Sequence, residues 1–332
     1  MIQENRLILP EWSQQSSVWV GWPSSAELWG SYLQPARIEI RDLVAELSSR
    51  VPVRLVVSGT EAAIAATEMC KKTCEIIELP MGDIWLRDTG PIYAHQSEGL
   101  VGLRFRFNGW GEKYLIDGDE DMAQSMLAID QLSMVSHTEV LEGGSIEYDG
   151  NGCVLTTRQC LLNSNRNEGL GETEIESLFA RVFESDRVVW LNEGLTSDHT
   201  DGHVDNLARF IGKGRVVCQR PSGDDDPNRD VLRAVEQDLL AAGFDVVTIP
   251  SPGRISDAEG NVMPASHVNF VFANGKIIMP RFEDIFSHLA RKELQDAMLN
   301  IEVVSLPANN ILTGGGAFHC MTLQVPSLDS VV

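Results

Sequence analysis

Short apolar runs along the chain alternate with stretches whose apolar residues recur at helical spacing. Val18–Trp22, Val53–Val57, Leu100–Phe105, Val154–Thr157, Val216–Cys218, Val246–Ile249, Val268–Phe272 and Lys276–Met279 read as strands. Ala36–Ser49, Glu172–Val182, Arg229–Ala242 and Phe286–Leu299 read as helices. Alternating strands and helices predict an α/β fold. The pair Val268–Phe272 and Lys276–Met279 flanks Ala273-Asn274-Gly275 like a hairpin, so a purely parallel sheet is not expected. No low-complexity tract or long linker divides the chain. The clearest charged loop, Gly223-Asp224-Asp225-Asp226-Pro227, is short.

Charge narrows the partners. Lys and Arg number 26 and Asp and Glu 48, a net −22. That field repels phosphate backbones and anionic lipid heads and attracts cations. Nucleic-acid and membrane roles are therefore not expected. No apolar run approaches the roughly 18 residues of a membrane span. Met1–Arg6 shows no basic-then-apolar leader, which makes the cytoplasm the expected compartment. The six cysteines are expected as free thiols, and no C-x-x-C pair supports a structural zinc. No Gly-x-Gly-x-x-Gly follows the first strand and there is no P-loop, so a nucleotide cofactor is not indicated.

Five places could carry chemistry. Cys320 follows Gly314-Gly315-Gly316-Ala317-Phe318-His319, a glycine run that would let a ligand approach the backbone closely; a core cysteine after a turn reads the same way. In Asp198-His199-Thr200-Asp201-Gly202-His203-Val204-Asp205-Asn206, His203 and Asp205 share a face if the segment is a strand, and form an acid–base unit. The same stretch also reads as a metal cluster or a surface turn. Arg87 and Asp88 adjoin a Thr-Gly-Pro turn, as an ion pair or a functional pair, two residues past Trp85. Glu142 precedes Gly143-Gly144. His267 and Asn269 are expected on one strand face. Asp88, Glu142, His203, Asn269 and Cys320 are spaced by 54, 61, 66 and 51 residues, each near a fifth of the chain. Such spacing suits five similar β-rich units around a common centre, each lending one polar group.

The blocks taken together resemble the agmatine deiminase family, within the guanidine-modifying enzymes that share the five-bladed α/β-propeller, or pentein, fold. The matching stretches are Trp85-Leu86-Arg87-Asp88-Thr89-Gly90-Pro91, Asn108-Gly109-Trp110-Gly111 with Lys113-Tyr114, Glu142-Gly143-Gly144, Leu162-Asn163 with Asn165-Arg166-Asn167, Thr200 to Asn206, Pro264-Ala265-Ser266 with Asn269-Phe270, and Gly314-Gly315-Gly316 with His319-Cys320. The resemblance implies one catalytic domain over residues 1–332, built of ββαβ-type units in pseudo-fivefold array around a central site. It implies Cys320 as nucleophile and His203 as general acid and base. Asp88 and Asp205 would clamp a guanidinium, with Glu142 assisting. Trp85 would wall the pocket, and Asn269, Trp110 and Gly316 would stand beside the substrate. The chain departs from the common pattern at Ala317, Phe318, His267, His199 and Glu112, all beside these positions.

The expected reaction is hydrolytic deimination of agmatine to N-carbamoylputrescine and ammonia through a covalent thiouronium on Cys320. It needs no metal and no organic cofactor. The expected partner is a small cationic guanidino compound, and the resemblance implies a homodimer. Arginine or peptidyl arginine is the near alternative as substrate. A metal-dependent hydrolase using His199, Asp201, His203 and Asp205, and a non-catalytic guanidine binder, are the more distant ones. In the empty site the converging carboxylates are expected to raise the Cys320 thiol above its free value of about 8.5.

Overall fold

The computed structural model describes residues 6–97 and 99–328. Residues 1–5, most of the stretch in which no leader is read, lie outside them. The chain forms β1 (Gln15–Gly21), β2 (Val53–Val57) and β3 (Glu75–Glu78), then β4 (Ile92–Gln96), β5 (Gly99–Arg106) and β6 (Ser133–Val140). Next come β7 (Ile146–Tyr148), β8 (Cys153–Thr157) and β9 (Arg187–Leu191), and β10 (Ala208–Gly212), β11 (Arg215–Arg220) and β12 (Asp245–Pro250). The last are β13 (Val271–Phe272), β14 (Lys276–Arg281), β15 (Glu302–Pro307) and β16 (Thr322–Pro326).

These strands make five sheets with one repeated plan. In β4-β5-β6, β7-β8-β9, β10-β11-β12 and β13-β14-β15 the first pair is antiparallel and the second parallel. A parallel pair cannot be joined by a hairpin, so a helix crosses between its strands. The helices Met122–Asp130, Glu172–Phe183, Arg229–Ala241 and Ser287–Ala297 do this in turn. The remaining sheet runs β16-β1-β2-β3, with β16 antiparallel to β1, so the last strand completes the first unit. The expectation of an α/β chain of five ββαβ-type units holds.

Most predicted elements appear within a few residues. The helix expected over Ala36–Ser49 spans Leu33–Ser48. Its stripe Ala36, Ile40, Leu43, Val44 and Leu47 is fully buried in one cluster with Val18, Val20, Leu55 and Val57. Burial of each larger side chain is worth about 1.5–3 kcal/mol before ordering costs. The hairpin at Ala273-Asn274-Gly275 is present, with Val271 opposite Ile278, and Asn274 takes a positive φ of 39°.

Two expectations need correction. His203 and Asp205 do not lie on a strand: Val204–Asn206 is a single 3-10 turn, and β10 begins at Ala208. The amide of His203 is spent on Thr200 Oγ1, and Leu207 donates back to Val204, so no ladder can form here. Likewise only Val271–Phe272 of the expected Val268–Phe272 strand pairs. The Val268 amide goes to Ser266 Oγ, and Asn269 O accepts from the His319 amide. His267 and Asn269 therefore share no strand face. His267 is fixed between Pro250 O (2.8 Å) and Ser287 Oγ (2.9 Å), and Asn269 turns toward Cys320.

Candidate active site

Each unit brings one chemical group to the same place in its plan, a few residues before its first strand. Asp88 precedes β4, Glu142 precedes β7, His203 precedes β10 with Asp205 two residues on, Asn269 precedes β13 and Cys320 precedes β16. The near-regular spacing in the sequence is thus the spacing of strand entrances.

Cys320 Sγ receives a hydrogen bond from Asn269 Nδ2 (3.1 Å) and lies 3.5 Å from Asp205 Oδ2. A Cβ on Gly316 would stand 2.7 Å from Trp85 Cζ3 and 3.1 Å from Sγ, so only glycine leaves the sulfur reachable beside that indole. Opposite, Asp88 Oδ1 accepts from the Gly144 amide (2.9 Å) and Oδ2 from Trp110 Nε1 (2.9 Å). Trp110 holds a positive φ of 52° to make that bond, backbone strain of the kind that collects at functional sites. A Cβ on Gly144 would meet His203 Nδ1 at 2.6 Å, Asp88 Oδ1 at 2.8 Å and Asp205 Oδ2 at 3.1 Å. Imidazole and two carboxylates therefore surround one point the size of a methyl group. Glu142 Oε2 lies 4.0 Å from His203 Nε2.

Several buried polar atoms here have no partner: both ring nitrogens of His203, Glu142 Oε2 and Asp205 Oδ1. Buried polar groups are normally hydrogen-bonded, so these side chains keep hydrogen-bonding capacity that a polar ligand could use. A cavity of about 400 Å³ reaches down to Asp88 and Cys320. Trp29, Trp85, Trp110 and Tyr114 line it, with the carboxylate of Asp83 in its wall; among the described lining residues there is no Lys or Arg. Trp85 stacks near Trp29 at 6.4 Å, and both indole N–H groups donate to Asp83 at 2.9 Å.

The electrostatics follow from burial and charge together. Burial pushes the Cys320 thiol up, Asp205 and Asp88 push it further, and it sits well above the ordinary value. This agrees with the sequence expectation. Burial opposes charge on His203, but Asp88, the Cys160 thiol and Glu142 outweigh it and hold the imidazolium well above its usual range. Burial raises Asp88 despite His203. Asp205 is the exception: burial pushes it up, yet the His319 hydrogen bond and charge leave it below the ordinary carboxylate value. Both shifts favour the thiol on Cys320 and the imidazolium on His203.

Sequence reasoning missed the groups that hold these in place. Arg166, fully buried, donates from Nε to Glu142 Oε1 (2.6 Å) and fixes that carboxylate. It lies in a quoted block, yet a lone arginine in a polar run carries no sign of its partner. Arg87 and Asp88 are neither an ion pair nor a functional pair. Asp88 faces the site, whereas Arg87 turns away to Glu11 Oε1 (2.9 Å) and Gln324 Oε1 (2.8 Å). The set His199, Asp201, His203 and Asp205 is not brought together. Asp201 binds Lys113 and Arg166, and His199 Nδ1 lies 3.1 Å from the Tyr114 hydroxyl. Two other groups among the described residues have ligand-type atoms within 4.8 Å of one another, Glu142–Cys160–His203 and Glu11–Glu147–His319. Arginines stand against both, Arg166 on Glu142, and Arg87 and Arg209 on Glu11, an arrangement that opposes a metal cation.

The sequence model of the Porphyromonas-type peptidyl-arginine deiminases matches residues 7–326. An agmatine deiminase of Pseudomonas syringae pv. syringae is 34% identical over 96% of this chain and 94% of its own length. Two solved structures superpose closely. The agmatine deiminase of Enterococcus faecalis gives a TM-score of 0.91 at 27% identity, covering 97% of this chain and 96% of its own. A cysteine-to-serine form of C. jejuni agmatine deiminase with substrate bound gives 0.92 at 28%, covering 98% of each.

Proposed function

The chain belongs to the Porphyromonas-type peptidyl-arginine deiminase family, and from that premise we propose that it hydrolyses agmatine to N-carbamoylputrescine and ammonia. The observation that carries the reading is the meeting of Cys320, His203, Asp88 and Asp205 around one point at the foot of the cavity. A guanidinium carbon is a poor electrophile because its charge is delocalised. Carboxylates match its N–H groups in paired, charge-assisted bonds, and holding it still removes much of the orientational barrier. Asp88 and Asp205 supply that clamp, and Glu142, fixed by Arg166, supports both substrate and His203.

The chemistry runs in two balanced halves. The bound cation offsets the carboxylates that keep Cys320 protonated, so the thiol gives up its proton to solvent and Sγ bonds to the guanidinium carbon. The tetrahedral adduct breaks its C–N bond, His203 protonates the departing nitrogen, and ammonia leaves a thiouronium. Water then gives one proton to His203 and adds to the same carbon, its remaining proton passes to Sγ as the C–S bond breaks, and the ureido product leaves with Cys320 again a thiol. No step calls on a metal or organic cofactor.

Agmatine over arginine is supported by the relatives and by the cavity wall, where carboxylates and indoles meet an ammonium better than an α-carboxylate. The reading extends to one catalytic unit over residues 1–332, acting on a free small molecule in the cytoplasm as a homodimer. Among the described residues no helix is long and apolar enough to cross a membrane. The test is ammonia release from agmatine and from arginine, with wild type, Cys320→Ala and a chelator. Release with agmatine that resists the chelator and vanishes in the variant is expected. Release that survives Cys320→Ala, or vanishes with the chelator, contradicts it.

A further inference from the structure

Below the substrate position a line of buried charges continues from the site, and the reaction as written does not use it. Asp205 Oδ2, which faces Cys320, also meets His319 Nδ1 at 2.7 Å. The other nitrogen of that ring, Nε2, lies 2.8 Å from Glu11 Oε1. Glu11 comes from the segment before β1 and is held from the other side by Arg87 (2.9 Å) and by Arg209, which in turn pairs with Glu147. His319 is only 1% exposed and Asp205 not at all, so water cannot replace these bonds.

A ring whose two nitrogens each face a carboxylate oxygen donates to both only when both carry hydrogen. With that charge the line balances: Asp205, Glu11 and Glu147 against His319, Arg87 and Arg209. The backbone fixes the ring further, since the His319 amide donates to Asn269 (3.1 Å), the same residue that contacts Sγ. Asp205 then has one oxygen committed to His319 while Oδ1 is left unpartnered.

We infer that His319 is a positioning residue for the proposed deimination: braced by Glu11, it holds Asp205 as a carboxylate with Oδ2 fixed beside Cys320, and keeps it from accepting the Cys320 proton. The inference rests on the proposed function. It gives the N-terminal segment a part in the reaction, since Glu11 reaches the nucleophile through two side chains.

The test is agmatine turnover against pH for wild type and His319→Gln, with kcat and KM separated and thermal melting recorded. The groups that face Asp205 are His319, Cys320, His203, the Asp88 carboxylate and, further off, Arg209, and all but His319 are kept. Without the His319 partner Asp205 takes up a proton at higher pH. The acid limb of kcat/KM should therefore move upward: a loss of about tenfold or more near pH 6, through a raised KM, that closes to about threefold by pH 8. A loss of equal size at every pH, or no loss, overturns the inference. If His319→Gln does not fold, Glu11→Gln decides: it removes the charged brace on His319 Nε2 while keeping the side chain's size. It should show the same loss of kcat/KM that is larger near pH 6 than at pH 8, and an equal loss at both or none overturns the inference. Wild-type turnover in the same assay reports separately on the proposed function.

Discussion

Replacing Asp205 by Asn should make Cys320 more reactive and the enzyme less active. Cys320 Sγ and Asp205 Oδ2 are 3.5 Å apart and both fully or nearly buried. At an effective dielectric of about 20, unit charges at that distance repel by about 5 kcal/mol. This is a ceiling on what Asn relieves, since water and side chains relax. At about 1.4 kcal/mol per tenfold, the ceiling is roughly three-thousandfold more thiolate at a fixed pH. A lower thiol pKa also costs intrinsic nucleophilicity, so a gain of about tenfold to a hundredfold in alkylation rate is expected. Turnover moves oppositely. The guanidinium loses a charge-assisted bond worth about 1.5–3 kcal/mol, or roughly 10- to 150-fold in kcat/KM. The assay is iodoacetamide labelling at pH 7 without substrate, read by peptide mass at Cys320, beside ammonia release on the same samples. Labelling that slows or stays level in Asp205→Asn refutes the account of how the thiol is held protonated.

Gly144→Ala should abolish turnover, because the added methyl would stand 2.6 Å from His203 Nδ1 and 2.8 Å from Asp88 Oδ1; a denaturant titration should show a stability loss of only about 1–3 kcal/mol. Arg166→Met leaves the fully buried Glu142 unpaired, and urea unfolding should show a loss of about 3–5 kcal/mol along with lost activity. His203 has its folded-state pKa raised, so its stabilising charge is fully present below the unfolded value of about 6.5 and is lost as pH rises through the folded one. Melting curves should therefore show the wild type's advantage over His203→Gln shrinking from pH 6 toward alkaline pH; a constant or growing advantage contradicts the assignment.

The repeating plan was legible in the sequence because its strands are compact apolar runs and its helices carry a clear stripe. Val53–Val57 is a strand at the expected residues, and the helix expected over Glu172–Val182 ends one residue later. The site residues were legible because each unit spends polar groups and glycines at a strand entrance, where apolar periodicity breaks. The same break misled the local reading: alternation in His203-Val204-Asp205 imitates a strand, but a Thr200 hydroxyl captures the His203 amide and turns the chain. What stayed hidden is pairwise. Glu11 and His319 are 308 residues apart, and Arg166 and Glu142 meet across two loops. Nothing in either neighbourhood's composition says which charge will find which.

The central claim is that flanking carboxylates pin a flat cation beneath the Cys320 sulfur. Acid-quenching the enzyme during turnover of agmatine and weighing the Cys320 peptide tests it most directly. The account predicts a covalent adduct equal to agmatine less ammonia, on Cys320 alone, that decays as the ureido product appears. Full turnover with no adduct on that peptide at any quench time would contradict it.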